Sequence, residues 1–287
     1  MSVFKILACD IKEGIIKNKR FLIVPFLGVL ECMYAHLNII LYKEYNGLKN
    51  SPSFLDLIAE VFHGCDPIAK NPDPNVKIVM PYLWFAVFAF AIFISFDYMH
   101  NDLTQFGIQI LSRTGKRIKW WISKCCWCVL SGIYFYILFI LSVLGFCALN
   151  GYEIRYTDNP EIINMLADRS FMYIYNGINK ISIINFICIL LSPLLVICTL
   201  SIIQMTLCLS MKPMYSYLVI TGIIIAGILS DSALAFSRLG MVTFSMDFFE
   251  DGYDKVRGMI ICISLIMVSV LAGTVYFKKY DILPDKE

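Results

Sequence analysis

Charged and strongly polar side chains are rare inside the long apolar runs of this chain. The few that occur there are the first candidates for function. Glu31 and His36 sit in the first run, with Asn38 close by; Gln204 lies near the end of the fourth and Asp231 near the end of the fifth. A charge held in hydrocarbon costs roughly 3 kcal/mol on insertion scales, and such residues are functional candidates by default. Glu31, Gln204 and Asp231 are therefore candidates to line a substrate path. Each could equally make a structural hydrogen bond between helices or reach the interface. Glu31 and His36 are not spaced to stack on one helical face, and His36 reads as structural.

Catalytic machinery is not legible. His36, His63 and His100 fall in separate regions, and neither G-x-S-x-G nor H-E-x-x-H occurs. No G-x-x-x-x-G-K-[ST] phosphate loop is present, so the chain is not expected to hydrolyse ATP alone. Eleven cysteines are present. Cys32, Cys125, Cys126, Cys128, Cys147, Cys188, Cys198, Cys208 and Cys262 lie in or against the apolar runs, where thiols behave as small hydrophobes. Only Cys9 and Cys65 lie outside them. No His or second Cys pair stands at metal-ligand spacing from Cys125, Cys126 and Cys128. The expectation is no catalytic residue, no cofactor and no metal in this chain.

The elements that position these residues follow from composition. The 287 residues are 59% hydrophobic and only 16% charged, with a mean hydropathy of +0.71. Soluble domains carry roughly 25% charged residues. The apolar residues come in blocks of about 20, the length that crosses a hydrocarbon core about 30 Å thick. The reading is an all-α membrane protein with one transmembrane domain over 1–287 and six spans, near 21–41, 79–97, 121–149, 183–209, 215–236 and 258–277. Pro25 and Pro193 fall inside spans, where kinks are possible. Lys and Arg are roughly twice as dense in 1–20, 98–120, 210–214 and 278–287 as in 42–78, 150–182 and 237–257. That bias puts both termini in the cytoplasm. The run after Arg20 is too long for a signal-peptide core and reads as a retained signal-anchor. A net charge of +2 with no basic, aromatic-interleaved surface gives no reason to expect nucleic acid.

Before the first span, Phe4, Ile6, Leu7, Ile11, Ile15 and Ile16 fall largely on one helical face, and Lys5, Lys12, Lys17, Lys19 and Arg20 populate the remainder. This is an amphipathic helix able to lie in the cytoplasmic interface, or an ordinary basic flank. In the first outer loop, Ser51 and Pro52 start a helix and Gly64 follows it, with Phe54, Leu57, Ile58, Val61 and Phe62 at helical spacing. It would lie on the outer leaflet or fold over the mouth of the spans. The second outer loop has a start signal at Asn159, Pro160 and Glu161. Phe248 to Asp254 is acidic and aromatic, able to attract cationic peptides or simply solvated. Gly222 and Ala226, with Gly227, form a small-residue patch suited to close helix packing.

The inner stretch Asp97–Lys124, DYMHNDLTQFGIQILSRTGKRIKWWISK, is long for a turn. Asn101 or Asp102 can cap a short membrane-parallel helix reaching Leu111. Arg113, Thr114, Gly115, Lys116 and Arg117 make a basic turn, and Trp120 and Trp121 re-enter at headgroup level. Such a surface suits a soluble partner or anionic lipid.

The pattern N-D-L-x-x-x-G-x-Q-x-L-x-R-x-x-x-R-x-x-W-W-x-S-K, Asn101 to Lys124, resembles the first cytoplasmic loop of permease subunits of bacterial ABC transporters of the type-2 exporter class. F-H-G-C-D-P from Phe62 and P-Y-L-W from Pro81 are also similar to that family. The resemblance implies a bacterial plasma-membrane exporter subunit of a peptide, drug or amphiphile. It implies a dimer with a second permease subunit, and a separate cytosolic ATPase that binds ATP and Mg. Carried over, Asn101, Asp102, Thr104, Gln105, Arg113, Thr114, Gly115, Lys116 and Arg117 would form the coupling helix and turn that dock the ATPase. Asp97 would be the acidic position at the span end, or else a solvated helix end. An ion-coupled secondary transporter and a non-transporting sensor or immunity protein are the alternative readings.

Overall fold

The computed structural model describes residues 2–65, 80–104, 111, 117–154, 183–229, 236–241 and 254–279. These are helical almost throughout. The single β feature among them is an isolated parallel bridge between Ser53 and Glu153.

A short helix α1 (Val3–Ile11) runs into one π-helical turn at Lys12–Ile16. A 3-10 turn, Lys19–Leu22, leads into α2 (Ile23–Asn46). Then come α3 (Phe54–Val61), α4 (Tyr82–Ser95) and α5 (Tyr98–Thr104). The longest helix, α6, covers Arg117–Leu149, and α7 covers Ile183–Leu207. Helix α8 (Pro213–Leu229), a 3-10 turn at Phe236–Gly240 and α9 (Lys255–Lys279) complete the described chain.

Among the described residues, five helical stretches are long and apolar enough to cross a bilayer: Lys19–Asn46, Tyr82–Leu103, Arg117–Leu149, Phe186–Leu207 and Lys255–Lys278. This fits a multi-pass membrane protein. The fifth expected span, 215–236, is described only in part. The described part of its helix, α8, has 17 residues, or about 25 Å at 1.5 Å per residue. Residues 230–235 lie outside the described set. The molecule is apolar on its outside as well. On α2, Phe26, Leu30, Met33 and Leu37 are exposed, and on α9 so are Ile260, Met267, Val268 and Leu271.

Burial separates the helices by role. Helix α7 is central and packs against α4, α6, α8 and α9. Its interior Pro193 lacks the N–H that would reach the carbonyl of Ile189. Ser192 Oγ donates to that same carbonyl at 3.1 Å, so the backbone stays satisfied where water is absent. Pro25 falls in the first turn of α2, where a missing N–H costs nothing; it gives no reason for a kink.

Contacts gather the helix ends into two faces. At the basal end, Arg20 meets Asp97, Arg117 Nη1 donates to the Lys278 carbonyl at 3.1 Å, and Cys208 Sγ lies 3.6 Å from the Phe96 carbonyl. At the distal end, Asn38 bonds Glu60, His36 bonds Tyr152, and Phe54 takes the Glu153 carbonyl.

Two sequence expectations change here. Trp120 and Trp121 are fully buried against other helices rather than turned outward. Trp120 stacks on Phe277 with centroids 5.0 Å apart, and Trp121 Nε1 donates to the Val270 carbonyl at 3.1 Å. A Cβ on Gly273 would stand 2.0 Å from Trp121, so glycine is what lets α9 approach. The amphipathic face before the first span is also divided. Ile6 and Ile15 are buried and Leu7 and Ile11 pack on the core, whereas Phe4 and Ile16 are exposed. The π turn adds a residue to the helical repeat and rotates Ile16 away. The apolar side of α1 docks on α6.

Candidate functional site

The densest group of charges among the described residues is at the basal end, where α1, α5 and α6 meet. Lys124 and Asp10 are both almost wholly buried. Lys124 Nζ lies 2.5 Å from Asp10 Oδ1 and 2.7 Å from Asp102 Oδ2. Ser123 Oγ donates to Asp10 Oδ2 at 2.8 Å, Tyr98 Oη to Asp10 Oδ1 at 3.1 Å, and Trp120 Nε1 to Asp102 Oδ2 at 3.2 Å. The rings of Tyr98 and Trp120 stand 4.9 and 5.0 Å from the ammonium, within cation–π range. One lysine of α6 thus ties the N-terminal helix α1 to α5.

Each member is placed by its element. Helix α6 has 33 residues, about 50 Å, longer than a 30 Å hydrocarbon core, and Lys124 lies near its N-terminal end. Burial pushes the Asp10 carboxyl up from the ordinary aspartate range. Its contacts with Lys124 and the hydrogen bond from Ser123 pull it down, and Asp102 adds to the rise. Below the cluster, Tyr98 stacks on Trp127 with centroids 4.0 Å apart. Gly14, in the π turn, packs against that pair: a Cβ there would stand 2.6 Å from Trp127 Nε1 and from the Tyr98 ring.

A second clamp lies beside the first. Arg20 makes a bidentate pair with Asp97, both contacts 2.7 Å, and its guanidinium sits 5.4 Å from the centroids of Phe93 and Phe96. Asn18 Nδ2 reaches the Ile94 carbonyl at 3.4 Å. Asp97 is therefore a clamp between the start of α2 and the end of α4, not a freely solvated helix end.

Of the residues expected to dock an ATPase, Asp102 belongs to the cluster, Asn101 is exposed on α5, and Thr104 is the last helical residue there. Asn101 N–H donates to the Asp97 carbonyl at 2.9 Å, so the described part of the expected coupling helix continues from the second span. Arg117 opens α6 and contacts Lys278. Gln105, Arg113, Thr114, Gly115 and Lys116 lie outside the described residues, as do Asp231, the start signal at Asn159 and the acidic stretch before Asp254.

The candidate path residues are not brought to one place. Glu31 shares the buried face of α2 with Gly28, Cys32 and Ala35, and its Oε2 has no hydrogen-bond partner among the described residues. Gln204, buried in the basal half of α7, leaves Nε2 equally unmatched. All eleven cysteines are free. Among the described residues no group of His, Cys, Asp and Glu could hold a metal ion.

Sequence reading missed Asp10, Arg20 and Lys124 as functional candidates. A signal existed for two of them. Asp10 is an acid on the apolar side of a basic helix, and Lys124 sits within an apolar helix one turn after Trp120 and Trp121.

In comparison with known proteins, no family model matches the chain, no curated protein matches it, and no solved structure matches it.

Proposed function

We propose that the chain is the membrane-spanning subunit of an ATP-driven ABC exporter, docking a separate cytosolic ATPase at its basal end. The observation that carries this reading is the Asp10–Lys124–Asp102 cluster. It joins α1, α5 and the base of α6 into one unit at the end where the inner loop leaves the bundle. A motor pushing on that loop needs a stiff element to push against. Buried, mutually hydrogen-bonded charges supply stiffness, because separating them exposes each to a large desolvation penalty. The Arg20–Asp97 pair extends the same unit to the first two spans.

In this reading the basal end faces the cytoplasm of a bacterial cell, with both termini on that side. ATP and Mg bind the partner ATPase, and a second permease subunit completes the transporter. ATPase closure rocks the two permeases between inward-open and outward-open forms about their shared interface. The cargo is a peptide, drug or lipid-like amphiphile.

The test is affinity purification of the tagged chain in mild detergent from its native membrane, with crosslinking and mass spectrometry. A stoichiometric P-loop protein crosslinked near Asn101–Arg117 is the expected result. Recovery of the chain alone, crosslinked or not, would remove the assignment. A second reading, an ion-coupled secondary transporter, is favoured by one observation: the buried, unmatched Oε2 of Glu31 within the first span. Transport that follows an ion gradient and survives ATP depletion would select it.

A further inference from the structure

Docking on α6 gives the N-terminal helix an inner and an outer face. Ile6 and Asp10 of α1 are buried. On the other side Phe4, Lys5, Ala8 and Lys12 are exposed, at the three- and four-residue spacing that puts side chains in one row. Ile16 and Lys17, where the π turn ends, are exposed as well. The apolar members of this face are bare: Phe4 is 82% exposed and Ile16 74%. Exposed aromatic and aliphatic side chains interleaved with lysines suit the boundary where hydrocarbon meets headgroups, the position that interfacial helices take.

The charge on this face is uncompensated. The acids of the neighbouring elements are already engaged: Asp10 and Asp102 with Lys124, Asp97 with Arg20, and Glu13 with Lys17. Lys5 and Lys12 on the face, and Lys19 in the 3-10 turn beyond it, are exposed and pair with no acid among the described residues. The face also leads into the apolar outside of the first span. Leu22, 77% exposed, ends the turn that Lys19 begins, and Phe26 and Leu30 continue its row along α2. That continuity favours lipid over a soluble partner. Long lysine stems can lie beside apolar neighbours while their ammonium groups reach headgroup phosphates, and anionic lipid attracts clustered lysines at the membrane surface.

We propose that the outer face of α1, with Lys5, Lys12 and Lys19, is a docking surface for anionic phospholipids of the basal leaflet. Their phosphates take the three ammonium groups, and Phe4, Ile16 and Leu22 enter the acyl layer beside them. The lipid closes α1 from outside as the Asp10–Lys124 pair closes it from inside. The surface needs no motor, so it stands or falls apart from the exporter reading.

The test uses the purified full-length chain. Native mass spectrometry in detergent, titrated with phosphatidylglycerol or phosphatidylcholine, reads the affinity for each lipid. Photoactivatable phosphatidylglycerol in nanodiscs, followed by peptide mapping, reads where it binds. Phosphatidylglycerol should bind at least about tenfold tighter than phosphatidylcholine and should label the peptide bearing Phe4 to Lys19. Lys5→Gln with Lys12→Gln and Lys19→Gln should remove the preference, and Lys5→Arg with Lys12→Arg and Lys19→Arg should keep it. Lys212→Gln with Lys278→Gln, which removes two exposed basal lysines on other elements, should leave it in place. Equal affinity of the wild type for the two lipids would overturn the proposal. Loss of the preference in the Lys212 and Lys278 variant would overturn it too, by making the effect one of basal charge in general. Label on the spans with none on α1 would overturn it in favour of a soluble partner on that face.

Discussion

Lys124 is the side chain on which the basal end depends. Its ammonium is in contact with both Asp10 and Asp102. Removing one partner of a buried ion pair costs about 3–5 kcal/mol, because the remaining charge stays buried without its match. Lys124→Met should lower thermal stability in nanodiscs by that order. Adding Asp10→Asn and Asp102→Asn should recover much of the loss, which a thermal-shift series of the single, double and triple variants would read. The pH dependence has a defined sign. The native pKa of Asp10 is raised above 3.8. Its contribution is therefore fully present below about pH 4 and lost as pH rises through the native value. Relative to Asp10→Asn, the wild type should lose stability as pH rises above about 4, as melting curves taken from acid to neutral pH would show. A parallel pair of curves would mean that Asp10 titrates normally in the fold.

Among the elements, close approach of helices is what the glycines decide. Gly14 and Gly273 each leave a space that a methyl group would overfill, against the Tyr98–Trp127 stack and against Trp121. Overpacking of this kind costs typically 1–3 kcal/mol. Gly14→Ala and Gly273→Ala should each lower the melting temperature. Gly222→Ala should not, because nothing lies within 4 Å of its Cβ position. Alanine there should add up to about 1 kcal/mol through helix propensity. The sequence patch of Gly222, Ala226 and Gly227 thus splits: Gly227 faces Ser237 of the following 3-10 turn, whose Oγ would stand 1.9 Å from a Cβ. Spacing shows that small residues share a stripe, but only neighbouring elements show which of them is pressed.

Over the whole molecule, the exporter reading makes a functional prediction. Charge reversal at Arg113, Lys116 and Arg117 should uncouple ATP hydrolysis from transport while the chain still inserts, measured as ATPase activity against substrate efflux in proteoliposomes. Unchanged coupling would remove the docking role. The all-helical, membrane-spanning character was determined by the sequence alone, because backbone groups in hydrocarbon must be satisfied within each segment and runs of about 20 apolar residues leave no other solution. The N-terminal helix and the helix of the first loop were legible for a similar reason, because periodicity is local; the cap was not, since Ser53 and not Ser51 closes the loop helix and Phe54 rather than Pro52 begins it. What only the tertiary structure decided is which polar residues meet. Asp10, Asp102 and Lys124 are far apart in the chain and no local rule pairs them, yet the buried environment that they share makes pairing obligatory once α1 docks on α6. The same holds for α3. Its pattern marks an amphipathic helix, and only the surrounding spans turn it into one buried on every face.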